Sequence, residues 1–139
     1  MKLTNKIFLI IMLLVSVWGC EQEHEIGRIG TTRLLSIGYE WAELAVYLEK
    51  NDVLSDYGVC YSNRTSLPTL NNGSRINNSN NYYYGELHPF EWKTDSNDVR
   101  YLHIRLRSLE RATTYYWRAF IQAGDLIVYG DVQSFTTQN

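Results

Sequence analysis

Apolar and polar residues alternate along the second half of the chain with the period of a β-strand. Over 99–107, Leu102, Ile104 and Leu106 fall on one side, and Tyr101, His103, Arg105 and Arg107 fall on the other. Over 114–122, the inward set is Tyr115, Trp117, Ala119 and Ile121, and the outward set is Tyr116, Arg118, Phe120 and Gln122. This alternation is typical of a strand with one buried and one solvated face. Both segments are therefore predicted as strands.

The remaining segments show weaker patterns of the same kind. We predict strands over 32–37, 55–62 and 126–136, and a short edge strand or irregular hairpin over 82–92. In the last strand, Val132 and Phe135 differ in parity, so a bulge near Gly130 is predicted if both side chains are buried. The asparagine-rich stretch 71–81 is predicted as a turn, because Asn side chains bond to their own backbone.

Residues 41–49, WAELAVYLE, fit two periods. Ala42, Leu44, Val46 and Leu48 alternate as in a strand, whereas Trp41, Leu44, Ala45 and Leu48 are spaced as on one face of a helix. We predict a strand, because the segments that follow are β-like and this stretch is short for a helix. About seven strands with turns every 8–12 residues then predict an all-β, seven-stranded sandwich of the immunoglobulin-like type.

The segment Leu109–Phe120, LERATTYYWRAF, predicts a tight corner between two strands. Leu109 and Tyr115 are spaced as in a tyrosine corner, in which a buried tyrosine bonds through its hydroxyl to backbone a few residues upstream. These two residues are predicted to have a structural role.

Three blocks of sequence resemble fibronectin type III modules of bacterial surface lipoproteins. The blocks are YGVCYS at 57–62, LERATTYYWRA at 109–119 and YGDVQSFTT at 129–137. Ala112 stands where the family has glycine. The resemblance implies a fibronectin type III-like sandwich over 31–139, but it implies no particular ligand, because function resides in sites added to a fold.

The amino-terminal residues 1–19 have the layout of a secretory signal peptide. Lys2 and Lys6 precede an apolar run, Ile7–Val17, which is too short to span a bilayer, since spanning takes about 20 residues. The run ends in Val-Trp-Gly-Cys, which resembles a bacterial lipobox in which Cys20 carries an acyl lipid such as palmitate. The alternative is an ordinary signal peptide that ends near a cysteine. Residues 20–30 are predicted to be a flexible tether.

The acidic residues Glu21, Glu23 and Glu25 follow Cys20 directly. Such a start is similar to the export signal of surface lipoproteins in Bacteroides-type bacteria, and a plain solvated tether is the alternative. We therefore predict a chain anchored to the outer membrane through lipid on Cys20 and facing the cell surface.

Charge and composition favour a binding module over an enzyme. The formal net charge of −2 gives no electrostatic basis for binding nucleic acid. His24, His88 and His103 are scattered, so we predict neither a metal site nor a cofactor. Cys60 on a core strand is predicted to be a small buried apolar residue and not a nucleophile. No catalytic residue is predicted.

The aromatic stretch within 77–92 is the predicted ligand-binding site. It contains Tyr82, Tyr83, Tyr84, Phe90 and Trp92, which cannot all face the core of an alternating strand. Exposed aromatic rings stack on ligands and anchor interfaces, so we expect a glycan or protein partner here. The alternative is that these rings only cover the edge of the sandwich.

Overall fold

A computed structural model describes residues 26–49, 53–79 and 90–139 of the chain. Those ranges form nine strands: β1 (Arg28–Ile37), β2 (Ala42–Glu49), β3 (Asp56–Ser62), β4 (Ser74–Asn77), β5 (Phe90–Thr94), β6 (Arg100–Leu106), β7 (Thr114–Ala123), β8 (Leu126–Tyr129) and β9 (Gln133–Thr136). In the described ranges, no helix is long and apolar enough to cross a membrane.

The nine strands form two antiparallel sheets that pack face to face as a β-sandwich. Sheet A has the order β1-β2-β6-β5, and sheet B has the order β4-β3-β7-β8, with β9 also paired to β7. Each sheet contributes one apolar face to a shared core. The largest fully buried side chains of that core are Trp117, Leu44, Leu102, Ile104, Leu106 and Ile121.

The predicted strand over 41–49 is confirmed as β2. Ala42, Leu44 and Val46 are fully buried in the core, and their partners across β6 are Leu106, Ile104 and Leu102. The predicted inward residues of β6 and β7 also lie in the core. Alternation therefore identified which side of each central strand faces the opposite sheet.

The described residues form nine strands and not the predicted seven. One addition is β4, which lies within the asparagine-rich stretch that was predicted as a turn. Ile76 of β4 pairs with Val59, and a Cβ on Gly58 would collide with the Ile76 carbonyl oxygen. This close pairing with β3 overrides the turn preference of the flanking asparagines.

The other addition comes from an interruption of the predicted last strand into β8 and β9. Tyr129 pairs with Phe120, and Gln133 pairs with Trp117. The three residues 130–132 therefore lie opposite the two residues 118–119 of β7, which is a bulge at the predicted place. The prediction assumed that Val132 and Phe135 are both buried, and this holds only for Phe135. Phe135 is 5% exposed, but Val132 is 37% exposed, so the bulge aligns Phe135 with the core without burying Val132.

Strand β1 begins at Arg28, earlier than the predicted start of order at Thr31. Arg28 and Ile29 pair with Glu49 and Leu48, and Gly27 precedes them with a φ of 116°. Only glycine adopts that conformation without strain. The predicted signal peptide and Cys20 lie outside the described residues.

The corner between β6 and β7 has the geometry that its spacing predicts. The hydroxyl of Tyr115 accepts a hydrogen bond of 3.0 Å from the backbone N–H of Glu110, and Leu109 is 5% exposed. Ala112 has a φ of 47°, so an alanine occupies the left-handed conformation in which glycine is favoured. The carboxyl terminus joins this corner, since the Thr137 hydroxyl donates to the Glu110 carbonyl.

The outer face of sheet B is covered by the loop 63–73, which the alternation pattern did not foresee. Phe120 lies on the predicted outward side, yet it is fully buried. Cys60, which was predicted to be buried, lies on the same side of sheet B and is fully buried too. Pro68 of the loop is buried too, and its carbonyl accepts hydrogen bonds from Arg118 Nε and the Cys60 thiol. The outward side of these strands is therefore a second buried layer.

Candidate functional site

The structure describes two of the five residues of the predicted aromatic site. Phe90 is 5% exposed and belongs to the core, so it has no face to offer a ligand. Trp92 is half-buried against Tyr57, with 5.9 Å between ring centroids, and the guanidinium of Arg100 lies 4.7 Å from its ring. Tyr82, Tyr83 and Tyr84 lie outside the described residues.

Phe90 and Trp92 both point inward because both belong to the same side of β5. Their partners on β6 are Ile104 and Leu102, which are core residues. Assigning Phe90 to a ligand site is therefore wrong, because the core encloses its ring. The half-buried Trp92 stays a prediction.

A polar cleft lies at the end of the sandwich that carries the β6–β7 corner. We call it the distal cleft. Its volume is about 410 Å³, within the range of small-molecule sites. One wall is the loop that connects β3 to β4 and the other is the corner. The residues that give it its chemistry are Tyr61, Tyr115, Asn63, Arg64, Ser108 and Glu110.

Two tyrosines form the floor of the distal cleft. Tyr61 and Tyr115 have ring centroids 6.3 Å apart, at an interplanar angle of 52°. Burial raises the pKa of Tyr61, so its hydroxyl stays protonated. Tyr115 is 6% exposed and belongs to the core, so only the half-buried Tyr61 offers ring surface to the cleft.

The loop wall of the cleft is braced by side chains that bond to backbone. The Ser62 hydroxyl accepts from Arg64 N–H at 3.0 Å, and the Asn72 side chain accepts from Thr69 N–H at 2.6 Å. The loop is also joined to sheet B, because Leu70 N–H donates to the Tyr129 hydroxyl. These bonds hold the wall in one conformation without a ligand.

The corner wall carries a strained residue and an acidic one. Ser108 is exposed and has a φ of 55°, which is uncommon outside glycine and asparagine. Glu110 is exposed beside it, and Arg64 is exposed on the opposite wall. Neither charged side chain forms an ion pair with another residue of the described ranges.

A second polar cluster lies on the outer face of sheet A around His103. Alternation predicted a solvated position, but His103 is 7% exposed. His103 Nε2 lies 3.9 Å from Glu43 Oε1, and His103 Nδ1 lies 4.0 Å from Glu91 Oε1. His103 Nδ1 has no hydrogen-bond partner in the described part of the chain. Burial lowers the pKa of His103, and Lys93 lowers it further.

The predicted role of Cys60 agrees with its surroundings. Burial raises the pKa of its thiol, and the thiol donates to the Pro68 carbonyl at 3.5 Å. A protonated, enclosed thiol is a poor nucleophile. Among residues 26–49, 53–79 and 90–139, no three His, Cys, Asp or Glu side chains are grouped so as to hold a metal ion.

Sequence reasoning did not identify the distal cleft. Its walls come from positions 61–64, 72–74 and 108–115, which are brought together only by the pairing of β3 with β7. The corner motif and the asparagine-rich stretch were both recognised, but as turns. Nothing in either pattern indicates that the two turns face each other.

Comparisons with known proteins support the β-sandwich and no finer assignment. No protein-family model matches the sequence, and no curated protein matches it. One similar solved structure is a computer-redesigned β-sandwich protein, with a TM-score of 0.50 and 14% identity over 79% of this chain and 93% of that chain. Another is Astrotactin-2, a conserved vertebrate-specific and perforin-like membrane protein involved in neuronal development. Its TM-score is 0.55, with 11% identity over 79% of this chain and 22% of that chain. At these identities the similarity concerns the fold alone, and the chain is a β-sandwich.

Proposed function

We propose that the chain is a lipid-anchored, non-enzymatic binding or adhesion module on the bacterial outer membrane, exposed at the cell surface. In this proposal, lipid on Cys20 fixes the protein to the membrane, and the residues between Cys20 and the start of β1 at Arg28 give it reach. The sandwich presents a site to a glycan or protein partner.

The strand order supports an immunoglobulin-like module of the fibronectin type III kind. Such modules place their first, second and fifth sequential strands in one sheet and the third, sixth and seventh in the other. Here β1, β2 and β6 share sheet A, whereas β3, β7 and β8–β9 share sheet B. The tyrosine corner between β6 and β7 is a further feature of this kind of module.

The observation that carries the proposal is the separation of the two ends of the sandwich. A Cβ atom placed on Gly27 would lie 3.7 Å from the side chains of Leu54 and Ile121. The chain therefore enters the sandwich beside the start of β3 and the end of β7. The distal cleft lies at Ser62 and Tyr115, at the opposite ends of the same strands. A strand rises about 3.3 Å per residue, which separates the two ends by about 20 Å. An anchor at Cys20 would therefore attach to the end of the sandwich that is opposite the distal cleft.

Palmitate labelling and protease treatment of intact cells test the anchor and the surface location. We expect the full chain to incorporate labelled palmitate and to lose its folded domain when intact cells are treated with protease. Cys20→Ser should abolish the label and release the protein from the membrane fraction. Cys60→Ser is the matched control, and it should keep both label and location.

Two results would contradict the proposal. Labelling that persists in Cys20→Ser would reject the anchor. Survival of the domain on intact cells, under conditions that digest a known surface protein, would reject the surface location.

A structural accessory subunit of an envelope assembly is the second candidate function, and the edge strand β8 favours it. Residues 126–129 carry no charge, and Leu126 and Val128 are 55% and 39% exposed. Uncharged apolar edges pair readily with other strands. This candidate predicts that one stoichiometric partner co-purifies with the chain and is lost in Val128→Lys. Val99→Lys, at an exposed loop valine, is the control.

A further inference from the structure

We infer that the distal cleft binds the uncharged end of an oligosaccharide. The inference rests on the proposed function for its orientation, since a cleft that faces away from the membrane is open to glycans outside the cell.

The lining of the cleft combines hydrogen-bond donors and acceptors. Arg64 supplies only donors, Glu110 supplies only acceptors, and Asn63 and Ser108 supply both. A ligand that uses all four must itself carry donors and acceptors side by side. Sugar hydroxyl groups meet this requirement, because each hydroxyl both donates and accepts.

The two charges of the cleft favour an uncharged ligand over an anion. Arg64 and Glu110 stand on opposite walls and have opposite sign, so the cleft has no net charge. A phosphate or uronate that approached Arg64 would also meet the Glu110 carboxylate, and like charges repel at close range. A neutral ligand accepts hydrogen bonds from one wall and donates to the other without that cost.

The floor suits the apolar face of a sugar ring. Tyr61, which is half-buried and packs on the buried ring of Tyr115, provides ring surface at the base of an otherwise polar cleft. Aromatic rings bury apolar surface efficiently and hold little conformational freedom. The volume of about 410 Å³ restricts the cleft to the end of a chain and excludes a long segment.

The walls are organised before a ligand arrives. Bonds from Ser62 and Asn72 hold the loop, and the Tyr115 hydroxyl holds the corner at Glu110. A rigid site loses less conformational entropy on binding, which favours affinity for a small ligand. The strained φ of Ser108 in the corner is in keeping with a ligand site, where such strain is concentrated.

The test measures binding of the full lipidated chain to defined oligosaccharides. The protein is held in a zwitterionic detergent without a sugar headgroup. It is presented with immobilised neutral gluco-, manno-, galacto- and xylo-oligosaccharides, and with uronic acid oligomers. We expect retention on at least one neutral oligosaccharide and none on the uronic acid oligomers. Arg64→Ala and Glu110→Gln should each weaken the retained interaction at least tenfold.

Matched variants at the opposite end of the sandwich are the controls. Arg28→Ala and Glu49→Gln remove the same exposed groups far from the cleft, and each should leave affinity within twofold. Glu110→Gln leaves intact the backbone bonds to Tyr115 and Thr137, so its melting temperature should equal that of the parent chain.

Three outcomes would overturn the inference. In the first, the protein is retained on no neutral oligosaccharide. In the second, Arg64→Ala and Glu110→Gln leave the retention unchanged. In the third, only Tyr83→Ala abolishes the retention. The proposed function would survive each of them if the chain stays anchored through Cys20 and exposed on intact cells. It would fall separately if those two properties are absent.

Discussion

The buried side chain of Asn77 donates a hydrogen bond to the carboxylate of Asp56 and thereby joins the edge strand β4 to the start of β3. Asn77 is 2% exposed and Asp56 is 8% exposed. The same carboxylate accepts from the backbone N–H groups of Tyr57 and Ser79, at 2.9 and 3.2 Å. A carboxylate this enclosed is tolerated because several donors replace the water it has lost.

Asn77→Ala should destabilise the domain by about 1–3 kcal/mol, because it removes a donor from a buried carboxylate. Urea unfolding of the variant and the parent chain measures this difference. Asn71→Ala, at an exposed asparagine of the preceding loop, should change stability by less than about 0.5 kcal/mol. Equal stability of the two variants would show that the Asn77 amide does not stabilise the edge.

Tyr115→Phe should lower the free energy of unfolding by about 1–3 kcal/mol, because the backbone N–H of Glu110 loses its acceptor in a partly buried corner. Tyr116→Phe is the matched control. The Tyr116 hydroxyl forms no hydrogen bond with another residue of the described ranges, so stability should hardly change. Thermal and urea unfolding of both variants give the comparison, and a neutral Tyr115→Phe would reject a stabilising role for the corner.

Ala112→Gly should stabilise the domain by about 0.5–1 kcal/mol. An alanine at a φ of 47° carries about 1–2 kcal/mol of strain, and glycine relieves it at an entropic cost of about 0.5–1 kcal/mol. The backbone bond from Ala112 N–H to the Gln138 carbonyl remains in either case. Ala112→Val should destabilise the domain, since a β-branched residue tolerates this conformation worse. Denaturant unfolding of the three proteins should rank them glycine, alanine, valine.

Protonation of His103 should destabilise the domain as the pH falls. The pKa of His103 is lowered by burial and by Lys93 and Arg105, against the opposing effect of Glu43 and Glu91. The unfolded chain therefore binds the proton at a higher pH than the folded domain does. The stability that the neutral imidazole contributes is fully present above the ordinary histidine pKa of about 6.5. It is lost as the pH falls through the pKa of His103 in the folded domain.

Unfolding free energies of the parent chain and of His103→Gln, measured from pH 7.5 down to pH 4.5, isolate this effect. His24 and His88 are common to both proteins, so the difference between the two curves reports His103. We expect the parent chain to lose stability more steeply with acid. Parallel curves would mean that His103 titrates alike in the folded and unfolded states.

The sequence by itself determined the central strands and the side of each that faces the core. Alternation in 99–107 and 114–122 identified the inward residues of β6 and β7, because a pleated strand exposes successive side chains on opposite faces. The corner was equally readable, since Tyr115 bonds to Glu110 and both lie in one short segment. These features depend on residues that are neighbours in the chain.

Only the tertiary structure decided what covers the outward sides. Alternation places Phe120 and His103 on the solvated sides of their strands, yet both are buried. Phe120 lies on the face that loop 63–73 crosses. His103 lies among charged side chains of three strands. Phe90 and Trp92 face inward because β5 pairs with β6 in that register. The distal cleft likewise exists because two turns distant in the chain meet at one end of the sandwich. Periodicity indicates the direction in which a side chain points from its own strand. Burial and site geometry depend on other segments, which are distant in the sequence and pack against that strand.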